Sequence, residues 1–315
     1  MSGLKELWVE AFGDDEPFIA SFLKEYMIPG YNAPAAIVEG AVVSALYLLD
    51  FPLYSKGQIL GDCAYLFAAA TKQEYQNRGC MSALVGYAAN LCQSRGQHAI
   101  FLFPQGGDPK LFDFYSRFGY RSVYAAKKMT RRPPRRPAPG LRLTQEDIAD
   151  PAVFGRLYGA YSEFTAGQPL APKKDRLFYL RCAASYLEAE NARFALLERV
   201  NEQNEQNEQN EQNSEKICYV FYKKYKNNYY IDDIILIEGP GRPRPEHEKF
   251  EETAEILADF FSGRGAKSVG ICIPPVSPAD ESNTPLAMIL PLSSRAEDII
   301  RSLRAPVYLN MFMNI

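Results

Sequence analysis

Apolar side chains along the first 130 residues switch between two periods. Leu4, Leu7, Trp8, Ala11 and Phe12 fall on one helical face, and Gly13 ends that run. "DDEP" at 14–17 predicts the capped start of a second helix, with Phe18, Phe22 and Tyr26 along one side. "AAIVEGAVVSALYLLDFPLY" then reads as a β-hairpin with Glu39-Gly40 in a tight turn. "SKGQILGD" is expected to be a connection and "CAYLFAAAT", ending at Thr71, a further strand. Met81, Leu84, Val85, Ala88, Leu91 and Cys92 return to helical spacing, with Gly96 as the stop. "HAIFLFPQ" predicts a short buried strand. A helix follows, capped by Asp108, with Pro109 in its first turn and Leu111, Phe112, Tyr115 and Phe118 inward. Gly119 closes it, and "YRSVYAAKKMT" returns as a strand. These elements predict one α/β domain over residues 1–130.

Residues 131–140, "RRPPRRPAPG", predict an extended Pro/Arg linker. From 141 to 315 the order repeats coarsely. Helical patterns come first, then the strands "RFALLERV", "KICYVFYKKY" and "NNYYIDDIILIE". A helix over "PEHEKFEETAEILADFFSGRG" leads to strand "KSVGICIPP", then "AMILPLS", a helix "AEDIIRSLR" and a closing strand "VYLNMFMN". The tract "NEQNEQNEQNEQN" at 201–213 has a three-residue period without an apolar side chain, so it predicts a solvated or disordered loop.

Composition narrows the function. The 315 residues suit two domains. Their 35 basic and 38 acidic side chains leave a net charge of −3, which gives no field to recruit nucleic acid or acidic lipid. Four arginines in the linker, without interleaved aromatics, are a weak nucleic-acid footprint. Six scattered cysteines, with only His98 and His247 beside them, make no zinc pattern, so no metal is expected. They read as reduced, mostly buried thiols. The N-terminus has acidic residues where a signal peptide needs a basic start, and the most apolar window is interrupted by Glu39 and ends at Asp50. A cytoplasmic protein without membrane partners is expected.

The candidate chemistry lies in "YQNRGCMSALVGYAANL", residues 75–91. A strand hands over to a helix there, and first-turn N–H groups without intrahelical partners suit a pyrophosphate. Gly79 lets backbone approach closely, and Arg78 can add charge-assisted hydrogen bonds. No GxxxxGK[ST] or GxGxxG occurs, so neither a P-loop nor a dinucleotide fingerprint has support.

The run Q-N-R-G-C-M, Gln76 to Met81, resembles the [Q/R]-x-x-G-x-[G/A] signature of the GCN5-related N-acetyltransferases (GNAT family). Met81 stands where that signature has Gly or Ala; its side chain can turn into the helix's core face while its N–H still serves. "FYSRFGYR" matches the family's "FYxxxGF" segment. The resemblance implies an α/β (α+β) GNAT-like mixed sheet flanked by helices, followed by a second, degenerate GNAT-like domain. It implies acetyl-CoA as co-substrate, with Gln76, Asn77, Arg78, Gly79, Cys80, Met81 and Ser82 at the diphosphate. Backbone at Ala69, Ala70 and Thr71 would pair with the pantetheine arm, and Tyr115 would meet the sulfur.

The implied reaction is transfer of an acetyl group to a primary amine of a small-molecule or peptide acceptor, by direct attack. A non-catalytic acyl-CoA-binding protein on the same fold is the alternative. The two-domain layout and "YSRFGY" are similar to the bacterial group that includes the enhanced-intracellular-survival acetyltransferases. Those carry a further C-terminal domain for which this chain is short. A peptidyl transferase built from paired domains of this kind is a further rival; its inserted coiled-coil arm is not found in this sequence. No base is identified: Asp50, Asp62 and Glu74 lie near strand ends, and in aminoglycoside-modifying relatives a terminal carboxylate, here Ile315, takes this part. The second half has "GPGRP" at its strand-to-helix passage, where prolines remove the N–H donors that a phosphate cradle needs.

Overall fold

The computed structural model describes residues 2–28, 31–105, 108–131, 140–189, 191–200, 214–237, 246–262, 264–273, 283–303 and 307. Most of the expected linker, the repeat at 201–213, the "GPGRP" passage and all but Val307 of the closing strand lie outside the described residues. The first elements are α1 (Ser2–Phe12), α2 (Glu16–Tyr26), β1 (Ala35–Val38), β2 (Ala41–Ser55), β3 (Gln58–Thr71), α3 (Cys80–Ser94), β4 (Ala99–Leu102), α4 (Pro109–Ser116) and β5 (Arg121–Arg131). There follow β6 (Leu141–Gln145), α5 (Pro151–Gly167), β7 (Ala171–Pro172), α6 (Arg176–Ala189), β8 (Arg193–Val200), β9 (Ser214–Tyr225) and β10 (Asn228–Leu236). The series ends with α7 (Glu246–Ser262), β11 (Ser268–Ile273), β12 (Asn283–Pro291) and α8 (Ser294–Ser302).

Local chemistry explains the boundaries. Asp15 caps α2 by accepting from the Phe18 N–H, and Asp108 caps α4 by accepting from the Lys110 N–H. Glu39 and Gly40 both take positive φ, 50° and 83°, the type I′ geometry that joins β1 to β2 without splaying them. The same geometry recurs at Lys56 and Gly57 (φ 48° and 83°). That second turn corrects one expectation: "SKGQILGD" is a hairpin tip and the first part of β3, not a connection. Its Ile59 is exposed and Leu60 buried, an alternation too brief to register as a strand beside two turn residues.

The chain forms two compact units. The first comprises Met1–Tyr54, Ile59–Val123 and Ala287–Leu303; the second takes Ser55–Gln58, Tyr124–Leu286 and Arg304–Ile315. The sequence-based division at 130 and 141 is linear, whereas here the end of β12 and all of α8 fold with the first unit.

In the first unit the strand order is β1-β2-β3-β4-β12. Strand β1 is antiparallel to β2, β4 is parallel to β3, and β12 is antiparallel to β4. One core joins Leu46, Leu48, Ala64 and Leu66 of β2 and β3 to Leu84, Val85 and Ala88 of α3 and Tyr115 of α4. Alternate residues point to the opposite face. There Tyr47 and Phe67 meet Trp8 of α1 at ring-centroid distances of 4.9 and 5.8 Å, and Phe22 of α2 meets Trp8 at 5.4 Å. The indole N–H donates to Asp14 Oδ2 at 2.8 Å, so the buried ring keeps its polar atom satisfied. Helix α8 is fastened by Ser293, whose Oγ caps it at Ala296 N and lies 2.8 Å from His98 Nδ1.

The second unit, by itself, repeats this plan. Its strand order is β5-β11-β10-β9-β8-β6. Helices α5 and α6 precede the antiparallel strands β8, β9 and β10, and β11 pairs in parallel with β10 after α7. Phe250, Ala254, Leu257 and Phe261 of α7 pack on Val220, Tyr222, Ile231 and Ile271. Strand β6 is absent from the sequence expectation; "LRLTQ" is half polar and follows directly on Gly140.

Trp8 closes the aromatic layer of the first unit. Replacing it with alanine is expected to remove about 3–5 kcal/mol of stability, read as a lowered urea midpoint at unchanged m-value. A loss within error of zero would mean that the layer is not cohesive.

Candidate functional site

The site is built where β3 leaves β4. Their parallel pairing runs from Cys63–Ala99 to Leu66–Leu102, while β3 itself continues to Thr71. Just past the last pair, Ala68 takes a φ of 45°, a left-handed conformation that a non-glycine residue adopts at a cost of roughly 1–2 kcal/mol. Beyond this kink the strand end is pinned to β2. The buried Ser44 donates to the Ala70 carbonyl at 3.0 Å, its Oγ lies 2.8 Å from Thr71 Oγ1, and the Lys72 N–H reaches the Val43 carbonyl at 2.9 Å. Ala69 packs against the α3/α4 core, and Ala70 belongs to the opposite cluster with Leu7 and Ala45.

A single 3₁₀ turn, Gln73–Tyr75, then carries the chain to α3. Gln76 Nε2 donates back to the Thr71 carbonyl at 3.2 Å, closing the loop on the strand end. Asn77 has φ 59°, which its short polar side chain tolerates, and Gly79 is the N-cap residue of α3 at φ 85°. Gly79 offers no side chain to the helix: α3 has no side-chain cap hydrogen bond. The first intrahelical bond runs from the Ala83 N–H to the Gly79 carbonyl at 2.9 Å, leaving the Cys80, Met81 and Ser82 amides at the open end. Those amides and the positive end of the helix dipole form an anion-binding arrangement. Arg78 is exposed beside them, its guanidinium 5.2 Å from the centre of the Tyr75 ring. The Met81 side chain packs against the core cluster, so its bulk does not crowd the turn. A cavity of about 690 Å³ opens at the same turn, with Arg78, Gly79 and Cys80 in its lining and Tyr31 and Tyr87 further along.

Tyr115 lies in that core, 7% exposed, with its ring 5.0 Å from Phe114 and 5.6 Å from Tyr120. Burial pushes its pKa up to about 12. The structure thus brings Ala69, Met81 and Tyr115 into one cluster, sets Gln76 to Ser82 along one loop and first turn, and leaves Ala70 and Thr71 held by Ser44. The carboxylates considered as bases, Asp50, Asp62 and Glu74, are exposed, and Asp50 Oδ1 accepts from Gln97 at 2.7 Å. Ile315 lies outside the described residues. Sequence reasoning missed Ser44, whose signal was a lone hydroxyl inside the apolar run "AVVSALYLL". It also missed Ala68, for which an alanine gives no signal, and Tyr120, hidden in "FGYR". Among the described residues no group of His, Cys, Asp and Glu is placed to hold a metal, and no helix is long and apolar enough to cross a membrane.

Comparison with known families matches residues 1–123 to an acetyltransferase (GNAT) domain model. A comparison with curated proteins finds no match. Among solved structures, the chain is similar to a conserved protein of Enterococcus faecalis V583 described as a probable N-acyltransferase (13% identity, TM-score 0.65, 94% of this chain and 71% of that one). It is also similar to a GCN5-related N-acetyltransferase from Kribbella flavida (16%, TM-score 0.60, 94% and 69%). Eis1 from Mycobacterium abscessus is a third such structure (13%, TM-score 0.60, 92% and 71%). At these identities the structures establish fold, and their coverage extends it through both units. The open first turn of α3 and the parting of β3 from β4 both lie within residues 1–123, the segment that matches the GNAT acetyltransferase domain model.

Proposed function

We propose that this chain moves an acetyl group from acetyl-CoA to a primary amine of a small-molecule or peptide acceptor, by direct attack in a ternary complex. The GNAT fold uses acetyl-CoA, and the observation that carries the assignment here is the uncapped first turn of α3 behind Gly79. The amides of Cys80, Met81 and Ser82 hold the diphosphate, with Gln76, Asn77 and Arg78 forming the approach to it. Backbone at Ala69, Ala70 and Thr71, beyond the last β3–β4 pair, takes the pantetheine arm. Cys80 contributes its N–H here; its thiol sits at the diphosphate end, away from an acyl carbon.

In this reading a neutral amine attacks the thioester carbonyl, the C–N bond forms and the C–S bond breaks, leaving a thiolate. The amine's surplus proton goes to solvent, and the thiolate receives a hydrogen bond from the Tyr115 hydroxyl. Outright proton transfer from Tyr115 is disfavoured. A thiol's reference value of about 8.5 lies some 3.5 units below the buried phenol, which is roughly 5 kcal/mol uphill. A hydrogen bond that strengthens as charge develops on sulfur is the role this reading gives Tyr115.

Isothermal calorimetry with acetyl-CoA tests the donor site. Arg78→Ala is expected to weaken binding about ten-fold, the value of one charge-assisted hydrogen bond at an exposed position. Unchanged affinity, or no heat with any acyl-CoA in the wild type, would remove the diphosphate assignment. Tyr115 is checked by its ionisation. Its folded pKa lies above the unfolded value, so its protonated form contributes stability that is present below about pH 10 and lost as pH rises toward 12. Tyr115→Phe should therefore recover up to about 3 kcal/mol relative to wild type between those limits. Parallel curves for the two proteins would place the phenol in water.

A further inference from the structure

Tyr120 carries a hydroxyl with no task in the resting molecule. The residue is 2% exposed, and among the described residues its Oη has no hydrogen-bond partner. A buried phenol in that state has surrendered its water and received nothing back, whereas phenylalanine would fill the same space without loss. The residue follows the turn at Gly119, and its N–H reaches the Tyr115 carbonyl at 3.4 Å. Its ring stands edge-on to the Tyr115 ring, with centroids 5.6 Å apart and planes at 62°. Both rings share the core with Leu66, Leu102 and the inner face of α3. The titratable groups that face Tyr120 are Tyr115 and Cys92. A charge on either is felt at its hydroxyl and, with burial, pushes its pKa well up, so Tyr120 stays a donor throughout the working range. The Cys92 thiol is itself pushed up to about 12 by burial and stays neutral.

We propose that Tyr120 is a positioning residue for acyl transfer: its O–H donates to the Tyr115 oxygen, directly or across one water, as Tyr115 commits its own hydrogen to the departing sulfur. The pairing is not made in the resting molecule. It forms when negative charge spreads from sulfur through the Tyr115 hydrogen bond, and hydrogen bonds in such a chain polarise one another. No proton need leave either phenol. This rests on Tyr115 meeting the sulfur, as proposed above.

The probe is CoA itself, which needs no acceptor. The ionisation of its bound thiol, followed by thiolate ultraviolet absorbance against pH, reports the hydrogen bonding at sulfur. Tyr115→Phe is expected to make the bound thiol less acidic. Tyr120→Phe should reduce its ionisation constant by about three- to ten-fold, with CoA affinity at low pH and thermal stability not reduced. In the Tyr115→Phe background the second substitution should add nothing. A more acidic 3-fluorotyrosine at 120 should move the constant the opposite way. An unchanged constant in Tyr120→Phe, or the same shift with and without Tyr115, overturns the relay. A silent Tyr115→Phe with CoA still bound removes the Tyr115 role and this proposal together, whereas a silent Tyr120→Phe alone leaves Tyr115 standing. A wild-type protein that binds no CoA ends both.

Discussion

A β-strand that loses its partner on one side exposes peptide groups that must find water, a ligand or another strand. In this chain that constraint falls on the end of β3. Its pairing with β4 stops at Leu66–Leu102, yet the strand continues to Thr71. The kink at Ala68 turns the chain, and Ser44 fixes the far end on β2. Strand end, 3₁₀ turn, Gly79 and the first turn of α3 then follow as one continuous piece of backbone. The N–H groups left open there belong to the main chain, so their placement depends on the path of the chain more than on particular side chains.

The second unit has the same parting and a different filling. Strand β10 pairs with β11 from Asn228–Ser268 to Ile231–Ile271 and runs on to Leu236. The residues just beyond are Asp232, hydrogen-bonded by the Tyr186 hydroxyl and 3.4 Å from Lys223 Nζ, and the fully buried Asp233. The two units thus share the parting of strands and differ in the residues just beyond it.

Electrostatics at the first site follows from burial. Tyr115 and Tyr120 stay protonated because water is excluded, and Arg78 is exposed. The neutral phenols therefore sit in the interior, where any hydrogen bond is strengthened by the low local dielectric. The cation sits at the rim, where it can steer an anion without a desolvation penalty.

Short-range features were legible in the chain. The 3.6- and 2-residue periods, the Asp caps, the Glu39-Gly40 turn and the Arg78-Gly79 helix start are written within a few residues of where they act, because capping and turn geometry are local. At Lys56-Gly57 the turn residues are local too, but the alternation beyond them is too brief to mark a strand. What only the tertiary structure decided is which distant pieces meet. The end of strand β12 and helix α8, late in the sequence, fold with the first unit. Ser44 reaches across to Ala70. Those outcomes depend on strand pairing and on the packing of side chains far apart in sequence, for which periodicity carries no address.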